Sequence, residues 1–79
     1  MPDPVPPLAR LSDITSLRFS APPWRVVVQL RAYGAVWDKP CRVWSVRLDR
    51  RIRGHPRRWR GIVNAARATL AGGGRVYWR

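Results

Sequence analysis

Two clusters of backbone-breaking residues limit what this chain can fold into. Pro22-Pro23 interrupts it after the first quarter, and Gly72-Gly73-Gly74 interrupts it just before the end. Pro40 and Pro56 add breaks between them, so every regular element is short. The chain has 79 residues, enough for one domain. A domain this small buries only about 60–65% of the surface its unfolded chain exposes. Cys41 is the single cysteine, so no internal disulfide helps, and no metal-ligand spacing appears. Packed side chains must therefore hold the fold. Five tryptophans suit that task, since each aromatic buries roughly 150–250 Å².

Residues 1–10 carry Pro2, Pro4, Pro6 and Pro7 and read as an extended, disordered tail. Residues 11–79 then form a single small basic domain. The start lacks the basic and apolar regions of a signal peptide. No apolar run approaches the roughly 18 residues of a membrane span. The expected location is the cytoplasm.

Ser12 or Asp13 is placed to cap one helical turn, and Leu17 and Phe19 alternate as in a short strand. "WRVVVQLRAY", Trp24 to Tyr33, also alternates. Trp24, Val26, Val28, Leu30 and Ala32 would point one way, which predicts a strand with one buried face. "GAVWDKP", Gly34 to Pro40, reads as a connecting loop. "CRVWSVRLD", Cys41 to Asp49, alternates again, with Trp44, Val46 and Leu48 on its apolar face, and would pair with the preceding strand as a hairpin.

Pro56 then opens a helix. Trp59, Ile62, Val63, Ala66 and Leu70 recur at helical spacing, and the glycine triplet closes it. "RVYWR" gives a last strand with Val76 and Trp78 inward. Trp24, Trp44, Trp59 and Trp78 all fall on expected core faces. The expected fold is α+β: a small antiparallel sheet of three to four strands with one helix packed on one face, in the order (β)-β-β-α-β.

The formal net charge is +12, with fifteen arginines, one lysine and no glutamate. Residues 41–79 hold eleven arginines and one aspartate. A shortage of acids this deep marks the positive field as functional. The charge is densest in "RRIRGHPRRWRG", Arg50 to Gly61. There Arg57, Arg58 and Arg60 sit at the N-terminus of the expected helix. Cations are misplaced at that end of a helix dipole, at roughly 0.3–1 kcal/mol each. Free N–H groups and guanidinium forks there would instead converge on an anion. The candidate binding residues are Arg42, Arg47, Arg50, Arg51, Arg53, Arg57, Arg58 and Arg60, with Trp37 as an exposed stacking aromatic. Arg25, Arg31, Arg47, Arg75 and Arg79 would share an outer sheet face with Gln29, Tyr33 and Tyr77, which suits phosphate contacts plus base stacking.

His55 and Cys41 are the only obvious proton-transfer or nucleophile candidates, and no carboxylate pair, metal cluster or P-loop accompanies them. The expectation is a non-catalytic binding module without a cofactor. It would be a monomer, with nucleic acid or an acidic protein surface of a nucleoprotein complex as its partner and no membrane.

Three resemblances bear on that expectation. A three-stranded sheet followed by a helix is similar in layout to AP2 and integrase-arm DNA-binding domains. "GRVYWR" is similar to the C-terminal strand of RelE-type ribosome-dependent RNases, which use Arg and Tyr without an obvious triad. The whole profile is tiny, single-domain, extreme in charge and free of catalytic motifs. In this it resembles phage-encoded anti-CRISPR inhibitors. That resemblance implies binding to a protein subunit of a CRISPR effector, so that target DNA cannot load. A direct DNA- or RNA-binding regulator is the alternative, and a cationic membrane-active helix over residues 50–70 is a further one.

Overall fold

A computed structural model describes residues 14–79. The proline-rich tail and the cap at Ser12 or Asp13 lie outside the described residues. Seven elements follow: β1 (Ser16–Ser20), α1 (Trp24–Ala32), β2 (Val36–Asp38), β3 (Val43–Arg47), α2 (Arg50–Arg53), α3 (Pro56–Ala71) and β4 (Arg75–Trp78). The four strands form one antiparallel sheet in the order β2-β3-β1-β4. The class is α+β as expected, and α3 packs on one face of the sheet against β1 and β4.

The register explains which face is covered. Leu17 lies opposite Val46 and Trp78, and Phe19 opposite Trp44 and Val76. These residues share the side on which Ile14, Leu30 and Ile62 are also fully buried. On the other side Arg18 lies between Ser45 and Tyr77, with Arg47 opposite Ser16 and Arg75 opposite Ser20. β1 and β2 are parallel to each other with β3 between them. β3 and β4 are parallel with β1 between them. Each pair is joined through helix, so the topology is two interlocked βαβ units, the split βαβ arrangement.

The segment from Trp24 to Tyr33 is a helix, not a strand, and the element order is β-α-β-β-α-α-β. The run of three valines satisfies both periods. Its buried residues are Val26, Val27 and Leu30, a helical spacing. Trp24, expected in the core, is 72% exposed, and Val28 is 53% exposed. Pro23 precedes the helix with extended backbone. Gly34 ends it at φ +85°, with its N–H donating to the Arg31 carbonyl and that of Ala35 to the Leu30 carbonyl. This is the paired bonding of a Schellman cap, which favours glycine at that position. Gly73 repeats it at the end of α3: the Gly73 N–H donates to Leu70 and the Gly74 N–H to Thr69.

The expected loop contains β2, and the hairpin is β2–β3, closed by residues 39–42. Within α3 the buried stripe is Gly61, Ile62, Ala65, Ala66 and Thr69. Trp59, Val63 and Leu70 are only half-buried at its margins. Thr69 is satisfied in the core because its Oγ1 donates to the Ala65 carbonyl (2.8 Å). Trp44 and Trp78 are half-buried against the core, as is Trp59.

Candidate functional site

Three strand or helix ends meet at one pole of the molecule. The Thr15 N–H donates to the Arg79 carbonyl (2.7 Å), and the Leu48 N–H donates to the Thr15 carbonyl (2.9 Å). The start of β1, the end of β3 and the end of β4 are therefore together. β3 leads directly into α2, and α2 packs on α3. The end of α1 arrives there as well, since Arg31 and Tyr33 line a cleft with Arg51 and Arg58. Arg31, Arg47, Arg50, Arg51, Arg53, Arg57, Arg58, Arg60 and Arg79 thus share this pole, and all are exposed. Asp49 is its one acidic side chain among the described residues.

Local structure fixes several of these groups. Asp49 caps α2, accepting at Oδ1 from the Arg51 N–H (3.0 Å). Its Oδ2 accepts from Arg51 Nε (3.4 Å) and Nη2 (3.3 Å). Burial pushes the Asp49 carboxyl up, but the Arg51 hydrogen bonds and charge outweigh this and hold it below its ordinary value. His55 caps α3, its Nδ1 accepting from the Arg58 N–H (3.4 Å). Arg58 Nη1 in turn donates to the Arg51 carbonyl (3.3 Å), tying the two helices. The first turn of α3 contains no acidic residue, so three arginines face the positive end of a sixteen-residue helix uncompensated. A second hollow, of about 420 Å³, lies against the other side of α2 between Arg47 and Arg53.

Seven of the expected binding residues, Arg47, Arg50, Arg51, Arg53, Arg57, Arg58 and Arg60, are brought to this pole. Arg42 and Trp37 are not. Arg42 sits in the β2–β3 turn at φ +55°, at the far end of β3, about 15 Å away for a five-residue strand. Trp37 lies on edge strand β2, 45% exposed, with its ring 5.3 Å from that of Trp44. It is exposed at the sheet edge, and its one ring contact among the described residues is with Trp44. Arg31 and Arg79 join the pole, although the alternation placed them on a sheet face. No pattern along the chain signals this. It follows from α1 being a helix and from the pairing of β4 with β1.

The outer sheet face changes accordingly. Arg25, Gln29, Arg31 and Tyr33 belong to α1 or its end, and Gln29 Nε2 donates to the Tyr33 hydroxyl (3.2 Å). Arg47, Arg75 and Tyr77 remain on that face by register, joined by Arg18. Cys41 and His55 lie beyond opposite ends of β3 and form no pair. Among the described residues no cluster of His, Cys, Asp or Glu is placed to hold a metal. None of the described helices is long and apolar enough to cross a membrane. In comparisons with known proteins, no family model, no curated protein and no solved structure matches the chain.

Proposed function

We propose that this protein is a non-catalytic binding module that docks its arginine pole onto a polyanion, and that the polyanion is nucleic acid. The observation that carries this is the gathering of nine exposed arginines against one aspartate where α3 begins. Folding brings them together from four separate stretches of chain, against their mutual repulsion and, for three of them, against the helix dipole. A row of phosphates reverses the sign of both costs. Guanidinium forks then bind phosphate oxygens, and the released counterions supply much of the affinity.

The test is fluorescence anisotropy with labelled duplex DNA, single-stranded DNA and RNA. Affinity should fall between about 50 and 200 mM salt with a log–log slope near −0.9 per duplex phosphate contacted. The Arg57/Arg58/Arg60→Ala variant should lose most of it. Arg25/Arg67/Arg75→Ala, which removes equal charge elsewhere, should lose much less. Equal losses would assign binding to net charge and not to the pole. No binding at about 50 mM salt would overturn the nucleic-acid reading. The arginines would then face an acidic protein surface, and the anti-CRISPR resemblance directs that search to CRISPR effector subunits.

A further inference from the structure

Beside α2 the arginine pole folds inward. A cleft of about 360 Å³ is lined by Arg31 and Tyr33 at the end of α1, Arg51 and Ile52 of α2, and Arg58 of α3. Arg31, Arg51 and Arg58, from three different elements, line this one concavity, with no acidic residue among the described residues that line it. Half-buried Tyr33 contributes apolar surface beside Ile52, which is itself buried in the core. Concave apolar walls with a few converging charged groups are what a small ligand site requires.

The charge count selects the ligand. Asp49 pairs with Arg51 at 3.3 Å and neutralises one of the three cations, which leaves two. A phosphomonoester carries about −1.5 to −2 at neutral pH, whereas a bridging phosphodiester carries one charge. We propose that the Arg31–Arg51–Arg58 cleft is a subsite for a phosphomonoester, the terminal phosphate of a nucleic-acid strand. Its end nucleoside would lie along Tyr33. Arg51 and Arg58 are already held, by Asp49 and by the Arg51 carbonyl respectively, so less side-chain entropy is lost on binding. Arg31 provides the remaining fork. The macromolecular source of the phosphate rests on the nucleic-acid reading above.

The experiment compares one short oligonucleotide with a 5′-phosphate, a 3′-phosphate or hydroxyls at both ends, at about 100 mM salt. Thymidine monophosphate and inorganic phosphate serve as competitors. One end-phosphorylated form should bind about tenfold more tightly than the hydroxyl form, as one charge-assisted contact set provides. That ratio should fall to about one in Arg31→Ala and in Arg58→Ala, with circular dichroism checking the fold. If the oligonucleotides bind alike but the monophosphate is bound and Arg31→Ala abolishes this, the cleft takes the same group from a free nucleotide. If all forms bind alike, with steep salt dependence, and no competitor is bound, the subsite is overturned while the polyanion reading stands. If nothing binds at low salt either, both fall.

Discussion

Gly61 faces Tyr33 where α1 crosses α3. A Cβ added at Gly61 would sit directly against the Tyr33 hydroxyl and 3.0 Å from the ring carbon that bears it. Two effects of Gly61→Ala oppose each other. Alanine stabilises a helix interior by roughly 0.5–1 kcal/mol over glycine, while overpacking costs about 1–3 kcal/mol. Packing wins, because Tyr33 is itself anchored by Gln29. Gly61→Ala should lose about 1 kcal/mol in urea unfolding. In a Tyr33→Phe background the contact with the hydroxyl is gone and only the tight approaches to the ring carbon (3.0 Å) and to Gln29 Nε2 (3.1 Å) remain, so the same change should cost markedly less. A Gly61→Ala variant as stable as the parent would mean that the Tyr33 ring moves aside freely, and that the helices are not held together at this point. The same tyrosine lines the arginine cleft.

At the level of elements, the sequence revealed most where one period dominated. β3 and β4 carry a single clean alternation, and α3 a helical stripe bracketed by Pro56 and Gly72. The buried stripe is slightly rotated from the apolar one, because Gly61, Ala65 and Thr69 are small or polar and give little apolar signal. α1 departs from the expected strand because three consecutive valines fit either period. The signals that separate the two are local: a proline pair before the segment, and Gly34 after it to form a Schellman cap. β2 was hidden by its length, three residues inside a loop-like composition. Two substitutions test α1 directly. On a strand, Trp24 and Leu30 would share the buried face, and truncating either would be costly. On the helix, Leu30 is fully buried and Trp24 is 72% exposed. Leu30→Ala should therefore cost about 2–5 kcal/mol, and Trp24→Ala less than about 0.5 kcal/mol. Comparable losses for the two in thermal or urea unfolding would contradict the helix.

Across the whole molecule, the candidate surface was legible only in part. The run from Arg50 to Arg60 is contiguous, so composition alone exposes it. Arg31 and Arg79 reach the same pole through a crossover and a strand pairing that no local pattern encodes, and the same topology carries Arg42 away. The resulting asymmetry makes a further claim about stability. The described residues hold fourteen arginines and one lysine against two aspartates. The molecule's longest dimension is 30 Å, about equal to the Debye length at 10 mM salt and ten times that at 1 M. At low salt the pole therefore repels itself unscreened. Adding sodium chloride from about 10 to 500 mM should raise Tm, with about 1 kcal/mol of relief appearing as roughly 4–8 °C in a domain this small. Nucleic-acid affinity should fall over the same range. Arg57/Arg58/Arg60→Ala should start from a higher low-salt Tm and respond less to salt, whereas Arg25/Arg67/Arg75→Ala should retain most of the response. If the two triple variants behave alike, repulsion is spread over the surface and is not concentrated at the pole. If they differ as expected, the stress in the free protein lies where the proposed anion would relieve it.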